Sequence, residues 1–142
     1  MMFSFWKMHG AGNDFILVDD REQTFPASDN QWLARIAARR TGIGCEGIIL
    51  IQPSSAADFR MRFFNPDGGE VDMCANGARC VARLAYEIGV TAPQMAIETA
   101  AGILKAEVAV DQVLLHLTAP RDWRMHHPIL LSTGDTEYHF VN

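Results

Sequence analysis

Two of the chain's three cysteines stand close together in Met73-Cys74-Ala75-Asn76-Gly77-Ala78-Arg79-Cys80, around an amide and a glycine. Thiols in such a stretch could ligate a metal, form a redox pair, attack as a nucleophile or carry a proton. Val81, Leu84, Ala85 and Ile88 fall on one side of a helical wheel, which predicts a helix beginning near Asn76 and stopping at Gly89, a natural left-handed cap. Cys74 then lies at the helix start, where the partial positive charge of the first turn stabilises a thiolate. The N–H groups of Ala75, Asn76 and Gly77 have no helical partner there and can bind an anion such as a carboxylate. Asn76 adds a neutral donor and acceptor, and Gly77 allows a ligand close to the backbone. Cys80 comes out about 120° around the helix from Cys74 and more than a turn along it. That separation argues against a joint metal site or disulfide, and Cys80 reads as a small buried hydrophobe. Helix position alone leaves Cys74 open between catalysis and packing.

The elements that must position this stretch are mostly strands. Segments with strand character are Phe3 to Met8, Phe15 to Asp19, Ile48 to Gln52, Ala57 to Phe64, Met95 to Thr99, Ile103 to Val110 and Val113 to Thr118. Polar and apolar residues alternate in Asp58-Phe59-Arg60-Met61-Arg62-Phe63, the pattern of a strand with one buried face, and Leu104, Ala106 and Val108 repeat it around Lys105 and Glu107. A first helix, about Asp29 to Arg40, starts at the S-x-x-Q capping box of Ser28 to Gln31 and stops at Gly42. Together these make an α+β protein. Two turns also carry candidate groups: Asn65 opens Asn65-Pro66-Asp67-Gly68-Gly69, and Asn13 follows the glycines of His9-Gly10-Ala11-Gly12. A third glycine-rich piece, Thr41 to Gly47, follows the first helix and reads as a helix stop leading into a strand.

At 142 residues the chain has the size of one domain or of half a two-domain protein, and a net charge of −5 with scattered basic residues excludes an electrostatic footprint for nucleic acid. No apolar run reaches the roughly 18 residues of a membrane span, so a soluble, cytoplasmic protein with no membrane partner is expected. Three cysteines without a C-x-x-C spacing point to reduced thiols. His9, His116, His126, His127 and His139 are too dispersed for a metal site, and no metal is expected.

Taken together, these segments resemble the diaminopimelate epimerases, amino-acid epimerases that work without pyridoxal phosphate. KMHGAGNDFILVD is similar to the family's amino-terminal signature, RRTGIGCEGIILI to its second loop, FFNPDGGEVDMCANGARCVARLAYEIG to the segment around its first catalytic cysteine, and IETAAGILKAEV to the strand pair that follows. The resemblance implies a curved, mostly antiparallel sheet or barrel wrapped around a central helix. It implies that Cys74 is a catalytic cysteine, that Asn13, Asn65 and Asn76 hold substrate, and that Ala75, Asn76 and Gly77 bind the reacting carboxylate through their N–H groups. Glu46-Gly47 stands where relatives often show Asp-Gly or Asp-Gln, so a substrate-contacting glutamine has no counterpart here; Ala75 replaces a more usual glycine, and Cys45 is expected to be structural.

The activity implied is epimerisation of LL-diaminopimelate to meso-diaminopimelate, in lysine and peptidoglycan precursor synthesis. Inversion by proton transfer needs a base on one face of the α-carbon and an acid on the other. In this family a second cysteine, on a second similar half, supplies the opposite group, and the full-length proteins are homodimers. The resemblance covers the first half only. Residues 1–118 are expected to form the domain with the first catalytic cysteine, and 119–142 a connection and the start of a second domain. On that reading the chain is inactive alone; a racemase of another amino acid such as histidine or proline, including one in which two copies of Cys74 face one another, and an amino-acid or carboxylate binding module are the alternatives.

Overall fold

The computed structural model describes residues 2–117, 119 and 121, together with the backbone of 124–131 and 134–140. In chain order the elements are β1 (Trp6–Gly10), β2 (Asn13–Asp19), α1 (Asn30–Ala37), β3 (Gly47–Gln52), β4 (Phe59–Phe64), β5 (Glu70–Val71), α2 (Ala75–Glu87), β6 (Gln94–Thr99), β7 (Gly102–Val108), β8 (Val113–His116), β9 (Arg124–Leu131) and β10 (Gly134–Phe140). One sheet runs β1-β2-β3-β4-β6-β7-β8, with β5 paired to β4. Its pairs are antiparallel except β2–β3 and β4–β6. The sheet curls around α2, which touches both edge strands, β1 and β8, as well as β2, β3, β4 and β7. The expected mostly antiparallel sheet around a central helix is therefore what the chain forms.

The hydrophobic pattern explains the wrapping. Buried residues on α2 are Gly77, Ala78, Cys80, Val81, Ala82, Leu84 and Ala85, small enough on several sides for strands to close around the helix. In β2 and β3 the apolar runs are continuous because both faces are covered. Phe15, Leu17, Ile49 and Ile51 face the α2 core, while Ile16, Val18, Ile48 and Leu50 pack under α1 with Leu33 and Ala37. The strict alternation of β4 and β7 survives in the structure: Phe59, Met61, Leu104, Ala106 and Val108 are buried, and Arg60, Lys105 and Glu107 are exposed. Each large apolar side chain so buried contributes about 1.5–3 kcal/mol of transfer free energy.

Several element boundaries differ from expectation. β1 starts at Trp6, because Phe3 leaves the strand to pack edge-on against Phe25 and Trp32. The cap of α1 is Asp29, whose carboxylate accepts the Trp32 N–H at 2.9 Å, so the Ser28 capping box is not used. α1 ends at Ala37, where Ala38 turns extended and the N–H groups of Ile43, Gly44 and Cys45 reach back to the Ile36 and Ala37 carbonyls. α2 ends as expected, with Gly89 at φ +74°. The last strand of the sheet stops at His116; Thr118, the expected end, lies outside the described residues. β9 and β10 form a separate two-stranded antiparallel sheet within the 119–142 segment, read from sequence as a connection and the start of a second domain. Pro128 falls inside β9, and a proline argues against a strand. Among the described residues no helix is long and apolar enough to cross a membrane.

Candidate active site

Strand register brings the candidate residues to one end of the sheet. β2 and β3 run parallel with Phe15 opposite Gly47, and β3 and β4 run antiparallel with Ile48 opposite Phe64. The starts of β2 and β3 and the finish of β4 therefore coincide, and Asn13, Glu46 and Asn65 sit there. The Glu46 N–H extends the pairing by one bond, to the Asp14 carbonyl at 2.8 Å. β5 then carries the chain back, and three residues after Val71 it reaches Cys74, the N-cap of α2.

The β1–β2 turn lies against the first turn of α2. Ala11 and Gly12 both adopt positive φ, 54° and 86°, which reverses the chain tightly enough to present Asn13 towards the helix. A Cβ on Gly10 would stand 2.9 Å from the Asn76 carbonyl oxygen, so only glycine permits this approach. Asn13 Oδ1 then lies 3.6 Å from Cys74 Sγ, which donates to it, and 3.4 Å from the donating Asn76 Nδ2. The Asn13 amide nitrogen donates to Glu46, and Arg79, one turn along α2, donates to Asn76 Oδ1. Cys74, Asn13 and Asn76 are half-buried.

No side chain caps α2. The first helical bond runs from the Ala78 N–H to the Cys74 carbonyl at 2.7 Å, which leaves the N–H groups of Ala75, Asn76 and Gly77 at the mouth of the helix. Gly77 is buried, and a Cβ there would come within 2.8 Å of Ile49 Cδ1; its small size serves the core beneath the site. Asn65 begins the turn after β4, its carbonyl accepting the Gly68 N–H at 2.9 Å. Among the described residues no hydrogen bond joins the Asn65 side chain to Cys74, Asn13 or Asn76.

The other two thiols are in different surroundings. Cys80 is buried in the α2 core, and burial pushes its thiol up to about 11. Cys45 is buried in the outer core and is likewise pushed up by desolvation. Cys74 is the half-exposed thiol of the three. Beside the site, Asp14 bridges Arg39 at 2.6 Å and Lys7 at 2.7 Å, and these two cations, the guanidinium first, hold its carboxyl well below the usual carboxylate range. Gly47 is packed so closely on Phe63 that a Cβ would meet the ring at 2.3 Å. A side chain at that position would therefore require the Phe63 ring to move.

Sequence reasoning missed the links from Glu46 to Asn13 and from Arg79 to Asn76. Glu46 and Asn13 are 33 residues apart, and no local pattern connects them. Arg79 lies three residues from Asn76, a spacing at which helical side chains meet, and could have been found.

A mixed sheet curled around one helix defines an α+β fold that solved structures of low sequence identity share. The probable proline racemase from Agrobacterium radiobacter K84 superposes with a TM-score of 0.72 at 18% identity, covering 99% of this chain and 49% of that one. The chain itself belongs to the diaminopimelate epimerase family, whose model matches residues 5–121. The diaminopimelate epimerase of Desulforudis audaxviator is 46% identical over 108 residues, covering 75% of this chain and 39% of the relative. That of Thioalkalivibrio sulfidiphilus is 45% identical over 143 residues, covering 97% and 51%. The chain thus spans about two fifths to half the length of the curated relatives it matches.

Proposed function

We propose that this chain supplies one side of a cofactor-independent, two-base amino-acid epimerase, with diaminopimelate as substrate. The observation that carries the reading is the position of Cys74: a half-exposed thiol on the N-cap residue of a helix whose first turn has no side-chain cap, with an amide acceptor 3.6 Å away. The α-carboxylate of the substrate sits on the N–H groups of Ala75, Asn76 and Gly77, where the helix dipole favours an anion. Asn13, Asn65 and Asn76 hold the remaining polar groups. Cys74 as thiolate then takes the α-hydrogen, so the Cα–H bond breaks and an S–H bond forms, while an acid on the opposite face gives its proton to the α-carbon. In the reverse direction Cys74 gives the proton. Negative charge develops towards the carboxylate in the transition state and is met by the same N–H groups.

The opposite acid comes from polypeptide beyond this sheet. Cys45 and Cys80 are buried and serve packing, which leaves one thiol at the surface of the site. Two further features fit a partner half. β1 and β8 each have a neighbour on one side only within the sheet. Their ends flank a cleft of about 230 Å³ lined in part by Met8, His9, Gly10, Arg79 and Val113. On this reading residues 1–118 form the cysteine-bearing domain, 119–142 are the connection and the start of the second, and the complete protein works as a homodimer in the cytoplasm, in lysine biosynthesis.

The test is exchange of solvent deuterium into the α-position of diaminopimelate. Exchange is expected when the chain is combined with the portion of the Thioalkalivibrio sulfidiphilus relative that it does not cover, and loss of that exchange in Cys74→Ala. Absence of exchange, with diaminopimelate binding unchanged in Cys74→Ala, would mark the chain as a binding module and overturn the catalytic assignment.

A further inference from the structure

Asn13 is an amide, and an amide can face a thiol with either end. Its oxygen accepts from S–H and favours the thiol; its nitrogen donates to S⁻ and favours the thiolate. Which end faces Cys74 therefore decides whether the sulfur meets an acceptor or a donor. In this structure the choice is enforced from both sides. A carboxylate only accepts, so Glu46 requires the Asn13 nitrogen. A guanidinium only donates, so Arg79 requires the Asn76 oxygen, which turns the Asn76 nitrogen towards Asn13. Reversing Asn13 would set its oxygen against the Glu46 carboxylate and its nitrogen against the Asn76 nitrogen. Both ends of the relay oppose the flip.

We infer that Glu46 is a positioning residue for Cys74, acting through the Asn13 amide to hold the sulfur as a thiol, the proton-donating member of the pair. The inference rests on the reading of Cys74 as a proton carrier. The helix start offers the sulfur N–H donors, and the Glu46-locked amide offers it an acceptor. When a substrate group displaces the Asn13 oxygen or Glu46 is drawn away, the sulfur is released to act as base. Other titratable or charged groups around the relay are Lys7, His9 and Asp14 on the hairpin, Arg39 after α1, and Asp72 ahead of α2. Arg39 also lies 3.4 Å from Glu46, and its guanidinium keeps that carboxylate near the hairpin.

The experiment is alkylation of Cys74 by iodoacetamide in the 142-residue chain, between about pH 6 and 10, with the modified residue located by mass spectrometry. Glu46→Ala should move the rate profile to lower pH and raise the rate at neutral pH roughly tenfold, because Asn13 is then free to present its nitrogen. Glu46→Gln, which keeps an acceptor for Asn13, should change the rate less. In an Asn13→Ala background the Glu46→Ala effect should vanish. An equal effect with and without Asn13 would mean that only the nearby negative charge matters and would overturn the relay. No effect in the Asn13 protein would overturn it as well. The Glu46 side chain is 51% exposed, so neither replacement disturbs the core. These outcomes are separable from the exchange assay: failure of α-deuteration removes the proton-carrier reading, whereas the alkylation profiles judge the relay alone.

Discussion

At the scale of single residues, what separates Cys74 from the chain's other thiols is solvent. Cys80 keeps its proton because the α2 core disfavours the thiolate, and this has a stability consequence. A group whose native value is raised stabilises the fold fully below its unfolded value, about 8.5, and that contribution is lost as pH climbs towards the native value of about 11. The urea midpoint should therefore fall across this alkaline window, and the Cys80 part of the slope should disappear in Cys80→Ala. Iodoacetamide supplied to the native chain at neutral pH should label Cys74 and spare Cys45 and Cys80 until the protein is unfolded, as read by mass spectrometry. Residue chemistry was partly legible beforehand. The thiol at a helix start, the amide beside it and the buried character of Cys80 follow from helical periodicity, whereas the partner of Asn13 does not.

Among the elements, the β1–β2 hairpin and α1 matter most to the site. Asp14 anchors the hairpin to Arg39 beyond α1 and to Lys7 within it. Its depressed carboxyl contributes stability that is present above the unfolded value of about 3.9 and is lost as pH falls through the native one. Acid titration of the urea midpoint should accordingly show a shallower acid limb in Asp14→Asn than in the parent. The α1 cap is local: Asp29→Ala should cost about 1 kcal/mol, measurable by urea unfolding, without altering Cys74 alkylation. Strand periods foretold β4 and β7 well because each has one wet face. They could not foretell where α1 ends, since its last carbonyls are satisfied by the returning Ile43 to Cys45 backbone rather than by a glycine stop.

For the molecule as a whole, α2 is both the core and the mount of the site. Leu84 is 1% exposed and touches the strands that enclose the helix, so Leu84→Ala should destabilise by about 2–5 kcal/mol in urea unfolding. Because Cys74 and the core residues share one rigid helix, the same variant should also loosen the site, read as a broadened alkylation profile. The sequence by itself determined what depends on neighbours a few residues apart: the alternation of strands, the helical face of α2, the thiol at its start and, through ordered motifs, the family. Tertiary structure decided what depends on register between distant strands. Asn13 meets Cys74 across 61 residues and Glu46 across 33, and Gly47 packs against a ring on β4. Such contacts arise only when the parallel β2–β3 and antiparallel β3–β4 pairings place three chain segments at one sheet end. Local propensity carries no information about that alignment, because it is set by burying both faces of β2 and β3 between two helices.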